Sequence, residues 1–256
     1  MNSQSQSEWV IGLNRYSDLP LTGGVFSKFY STASRLFSKL GVTSTHLGAE
    51  GRGQSGKFVR CSGNAAKRLV DSGFSEITVL SCVASTKTSK EPSFDREVSA
   101  SLSWTPPGEI ILSFVVNEGI AAFQSHNFEY VLTELLRFDD WSFGYAFRDL
   151  VARQPEFHVL SLDSGNLDYA ESAALRRWYL ANSVERTHRL RSVYPITIVN
   201  DNQLKSVVQG KLLSEIIEAT AKTTVSRVGN LTVWRVPDAQ VLALRKTLGE
   251  TGGLIG

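Results

Sequence analysis

The stretch Val98–Val116, VSASLSWTPPGEIILSFVV, decides the class of fold. Val98 to Trp104 and Glu109 to Val116 both read as strands, and Thr105-Pro106-Pro107-Gly108 between them is a turn by composition. Strands joined so closely run antiparallel, because a parallel return needs a crossover of a dozen or more residues.

Working outward, the same two signals recur. Glu8 to Tyr16 is a strand closed by the Asp18-Leu19-Pro20 turn, and Val42 to Leu47 and Ile77 to Val83 are strands. Trp141, Phe143, Tyr145 and Phe147 alternate strictly and mark another, with all four rings on one face. Further strands are expected at Phe157 to Leu162 and Tyr194 to Val199, and Val225 to Val228 pairs with Leu231 to Val236 across Gly229-Asn230. Helical spacing appears in Val25 to Leu40, where Phe26, Phe29, Tyr30, Ala33, Leu36, Phe37 and Leu40 form one apolar stripe. Ser62 to Ser72, the segment around Phe128 to Leu136, a long helix from Asp168 to about Arg191, Gln203 to Thr220 and 238–248 complete the helices. Asp168 and Glu171 have the spacing of a capping box, and Pro195 forbids continuation of the long helix. Helices mixed with turn-linked strands specify α+β layers around a largely antiparallel sheet, arranged as halves 1–140 and 141–256 that form two similar sandwiches or one continuous domain.

A chain of 256 residues can bury a large core, and 42% hydrophobic with 20% charged residues excludes a wholly disordered protein. No apolar run approaches the length of a membrane span, and the amino end lacks the basic start and apolar stretch of a secretory signal. Cys61 and Cys82 suggest neither a zinc site nor a disulfide framework, so reduced thiols in a cytosol are expected, with no cofactor. The net charge of +2 conceals blocks. Residues 1–90 carry 11 basic and 5 acidic side chains, 91–175 carry 4 and 14, and 176–256 carry 12 and 6. The acidic middle would attract a basic partner if its acids share a face, and would do nothing if they disperse.

Motifs for chemistry are sparse. Gly51-Arg52-Gly53-Gln54-Ser55-Gly56-Lys57 fits the spacing of a phosphate-binding loop, but Phe58 stands where the magnesium-holding hydroxyl belongs, and no helix follows directly. A glycine turn between strands is the competing reading. His46, His126, His158 and His188 form no metal motif, and no nucleophile elbow exists, so no catalytic residue is assigned. Arg186, His188, Arg189 and Arg191 could grip nucleic-acid phosphates, or could simply complement the end of a helix. Asp139-Asp140-Trp141 pairs two carboxylates with a large aromatic between a helix and a strand, and is the candidate partner interface. The alternative is that Trp141 begins a buried strand while both aspartates face water.

The last third of the chain has a recognisable order. Tyr194-Pro195 precedes a strand, then a helix containing Val208-Gln209-Gly210-Lys211-Leu212, then Leu231-Thr232-Val233-Trp234-Arg235-Val236-Pro237 and a final helix. This resembles cytosolic immunity proteins of bacterial polymorphic-toxin and type VI secretion systems. The resemblance implies an intracellular protein that binds a cognate toxin and blocks it without catalysis. The matching positions are structural, and no family site residue is carried over.

Overall fold

A computed structural model describes residues 6–85, 95–106, 108–162, 169–250 and 252–255. The polar connection expected at Lys87 to Pro92, Pro107, and Asp168 of the expected capping box lie outside the described residues. In chain order the elements begin with β1 (Ser7–Tyr16), α1 (Gly23–Lys39), β2 (His46–Gly51), β3 (Gln54–Arg60), α2 (Asn64–Asp71), β4 (Ile77–Ala84), β5 (Val98–Thr105), β6 (Glu109–Asn117) and α3 (His126–Leu136). They continue with β7 (Phe143–Leu150), α4 (Pro155–Val159), α5 (Tyr169–Leu180), α6 (Ser183–His188), β8 (Ile196–Val199), α7 (Asp201–Leu204), β9 (Val207–Val208), β10 (Lys211–Leu212), α8 (Leu213–Ala219), β11 (Thr224–Val228), β12 (Leu231–Arg235) and α9 (Asp238–Glu250).

The fold is α+β, and its centre is one 10-stranded antiparallel sheet ordered β11-β12-β8-β7-β1-β6-β5-β4-β2-β3. The β5–β6 hairpin forms as its sequence specifies, from Val98 opposite Val116 to Thr105 opposite Glu109. Its turn depends on Gly108 at φ +124, where a Cβ would stand 2.3 Å from the Ser17 carbonyl oxygen. Because β7 pairs with β1, the sheet runs across residue 140 without a break, so the halves share one sheet.

β1 lies near the middle of the sheet and is buried on both faces. Trp9, Ile11 and Leu13 turn to one face, where α1, α2 and α3 supply Phe26, Phe37, Leu69, Phe128 and Leu132. Val10 turns to the other, against Tyr145, Val159 and Tyr194. On that second face β8 and β12 add Val199 and Trp234, covered by Leu213, Ile217, Val241 and Leu248 of α8 and α9. Among the described residues, neither second-face cluster includes a residue of β2 to β5.

The strand expected at Val42 to Leu47 instead runs His46–Gly51, and four further expectations need correction. The segment Phe157 to Leu162 is not a strand. Pro155 starts the short helix α4, since a proline at the first helical position loses no bond and already holds a helical φ. The expected long helix is two, α5 and α6, separated at Asn182. There Asn182 accepts from the Glu185 amide while Glu185 reaches back to the Asn182 amide, a capping box that restarts the helix. Within 203–220, Gln209 and Gly210 both take positive φ and make the β9–β10 turn, so Val208 to Leu212 is a small hairpin followed by α8. Finally, β7 begins at Phe143, after Trp141. Trp141 folds to the first face beside Phe138, whereas Tyr145 and Phe147 lie on the second with Tyr194.

Candidate functional site

The acidic middle block does not become an acidic face. Its carboxylates are met by arginines from the flanking basic blocks: Asp139 by Arg15 at 2.8 Å, Glu109 by Arg186 at 2.9 Å, Glu129 by Arg235 at 2.6 Å, and Glu134 by Arg35. Glu156 pairs with Arg96, and Asp149 and Glu171 with Arg153. Four of these acids thus pair with arginines of the flanking blocks and tie distant segments together, and three more pair within their own block.

At the Asp139-Asp140-Trp141 turn, Trp141 is buried at 1% exposure and its indole donates to the Leu135 carbonyl. It holds α3 to β7 and is not available as a surface anchor. Asp139 is engaged with Arg15, which leaves Asp140 as the turn's exposed carboxylate. The Gly51–Lys57 stretch spans the β2–β3 hairpin. Its amides follow the strand ladder, and no helix begins beside it, so the cradle of a phosphate loop is not formed. Of the basic cluster, Arg186 and Arg191 are buried. Arg186 is spent on Glu109 and on the carbonyls of Trp178 and Tyr179, leaving His188 and Arg189 exposed. The cluster offers no continuous grip for a phosphate chain. Among the described residues, no group of three or more His, Cys, Asp or Glu gathers as a metal site, and no helix is long and apolar enough to cross a membrane.

A different site emerges on the second face. The floor is the end of β7 with Tyr194, and the walls are α4, α5 and α9, enclosing a cleft of about 560 Å³. The position follows from the local sequence. Gly12 leaves room for α4, since a Cβ there would lie 3.0 Å from both Tyr145 and Val159, so α4 settles close onto β1 and brings His158 over the aromatic floor. Tyr145 and Tyr194 stack at 4.5 Å between ring centres, and Tyr194 Oη and His158 Nε2 share a hydrogen bond of 2.7 Å.

Five arginines line the cleft: Arg148, Arg153, Arg177, Arg191 and Arg245. Arg148 meets Asp238, and Arg153 meets Asp149 and Glu171. Arg191 is 6% exposed, and its guanidinium donates to Tyr145 Oη and to the His158 carbonyl, both neutral acceptors. Arg245 donates from Nε to the Val193 carbonyl and lies over the Tyr194 ring at 5.4 Å. Burial first, and then the charges of Arg191, Arg245 and Arg153, push the His158 imidazole well below its ordinary pKa, so it stays neutral. Burial likewise raises the Tyr145 and Tyr194 phenols, which remain protonated beside these cations. The cleft is thus a partly aromatic recess lined by five arginines and three carboxylates, those of Asp149, Glu171 and Asp238.

The fold that builds this cleft has a known counterpart. No family model and no curated protein sequence matches the chain. Among solved structures, it is similar to a Pseudomonas aeruginosa T6SS protein, PA0821. The superposition has a TM-score of 0.61 at 17% identity and covers 98% of this chain and 74% of that one. At that identity the likeness establishes a shared fold.

No pattern in the sequence joins the cleft arginines into one site. Arg191 was legible only as one member of a basic helix end. Arg148, Arg153, Arg177 and Arg245 lie on separate elements that meet only through the sheet.

Proposed function

We propose that this protein binds a cognate bacterial toxin and neutralises it in the cytosol, within a type VI secretion setting. The observation that carries this reading is the likeness to a T6SS protein over nearly the whole chain. The resemblance of the last third to immunity proteins supports it, and its hairpin and final helix are present as β11–β12 and α9. Surface character is consistent with protein binding. The helical layer on the second face exposes Tyr179, Leu180, Val184 and Leu242 at 62%, 71%, 65% and 74%, large apolar side chains suited to a partner contact.

The test is to identify any toxin gene adjacent to this protein's gene and to co-express the two. Restored growth together with a co-purifying complex is the expected result. If the neighbouring toxin kills cells equally with and without the chain, and no complex forms, the reading is wrong.

A further inference from the structure

We propose that the cleft between α4, α5 and α9 receives an acidic segment of a protein partner, with Arg177, Arg191 and Arg245 meeting its carboxylates. Only the identity of that partner rests on the toxin-binding reading. Affinity of the cleft for an acidic peptide stands without it.

Charge complementarity carries the inference. Arg148 and Arg153 already have carboxylate partners, whereas Arg177, Arg191 and Arg245 have none among the described residues. Arg191 matters most, because a guanidinium held at 6% exposure has lost most of its water and has gained a phenol, a carbonyl and the faces of the Tyr145 and Trp178 rings in return, but no anion among the described residues. A buried cation with neutral partners alone is poorly compensated, and an incoming anion would complete it with charge-assisted hydrogen bonds. Arginine's planar fork suits a carboxylate, which can accept two parallel bonds.

The surroundings favour a peptide over a bare ion. Leu175, Val241 and Leu242 line the same recess, and Leu242 stands 74% exposed at its rim. An inorganic anion gains nothing from these side chains. An acidic segment with an apolar neighbour gains both the charge contact and apolar burial, the pattern of an interface hot spot. The cleft volume, about 560 Å³, accommodates a few side chains.

The probe is an acetylated, amidated hexaglutamate peptide, titrated calorimetrically into the full chain at low salt, with hexalysine as control. Saturable binding of hexaglutamate alone is expected, at least tenfold weaker in Arg177→Glu and abolished in Arg177→Glu/Arg245→Gln. Arg177 is exposed on its helix, so its reversal leaves the core intact, and an unchanged thermal melt verifies this. Arg52→Glu, at the remote β2–β3 turn with its side chain 85% exposed, should leave affinity unchanged. The inference is overturned by any of four results: no binding at millimolar peptide, binding indifferent to Arg177→Glu, equal loss in Arg52→Glu, or inorganic phosphate binding as tightly and displacing the peptide. Failure of the toxin reading looks different, because hexaglutamate would then bind normally while the chain protects no cell. Conversely, full protection by Arg177→Glu/Arg245→Gln would keep the toxin reading and remove the cleft as its seat.

Discussion

Replacing Glu8 by glutamine isolates the energetics of a buried carboxyl beside the cleft. Glu8 is 2% exposed on β1, where Arg96 Nη2 donates to it at 2.6 Å, and the same guanidinium also binds Glu156 of α4. One cation thus faces two carboxylates. Burial, opposed by Arg96 and reinforced by Glu156, raises the Glu8 pKa to about 7 from the ordinary 4.5. The native state therefore keeps a proton that the unfolded chain releases, and stability falls as pH rises from about 4.5 to about 7. That interval corresponds to roughly 3 kcal/mol, at about 1.4 kcal/mol per pKa unit. Glutamine still accepts from Arg96 but never ionises. The two proteins should melt together near pH 4.5, and by pH 8 Glu8→Gln should melt about 6–12 °C higher, at roughly 2–4 °C per kcal/mol for a chain of this size. Thermal unfolding followed by circular dichroism from pH 4.5 to 8 measures the difference, in which groups common to both proteins cancel. A difference that stays flat across this range would show that Glu8 is ionised throughout and that Arg96 outweighs burial.

Three further outcomes are expected. Phe143 is 3% exposed and meets Trp178 edge to face at 5.3 Å, so Phe143→Ala should cost about 3–5 kcal/mol in chemical denaturation, and an unchanged midpoint would place the ring outside the core. At Gly144 a Cβ would lie 2.6 Å from the Gly12 carbonyl oxygen and 2.5 Å from Leu13, so Gly144→Ala should lose about 1–3 kcal/mol in the same assay. Titration with ATP and magnesium should show no saturable binding at millimolar ligand, because Lys57 sits on a hairpin strand with no helix end beside it; micromolar binding lost in Lys57→Ala would restore the nucleotide reading.

The sequence by itself determined the class of fold, because alternation and turn chemistry are local. Gly108, at positive φ, closes the β5–β6 hairpin, Gly229 turns β11 into β12, and the apolar stripe of α1 can satisfy itself only by lying on a sheet. Some misreadings were also local. Pro155 and the Asn182–Glu185 box were present as signals, but the short apolar run at Phe157 and the continuous helical spacing after Asp168 masked them. The fate of charge was different in kind. Nothing in the order of residues says that Asp139 meets Arg15 or that Glu109 meets Arg186, since each pair joins segments far apart in the chain. Periodicity reports which face of its own element a residue occupies, and it is silent on which other element covers that face. Only the sheet, by bringing β7, α4, α5 and α9 to one place, drew acids such as Asp149, Glu156 and Glu171 into ion pairs and left Arg177, Arg191 and Arg245 without carboxylate partners among the described residues of a common recess.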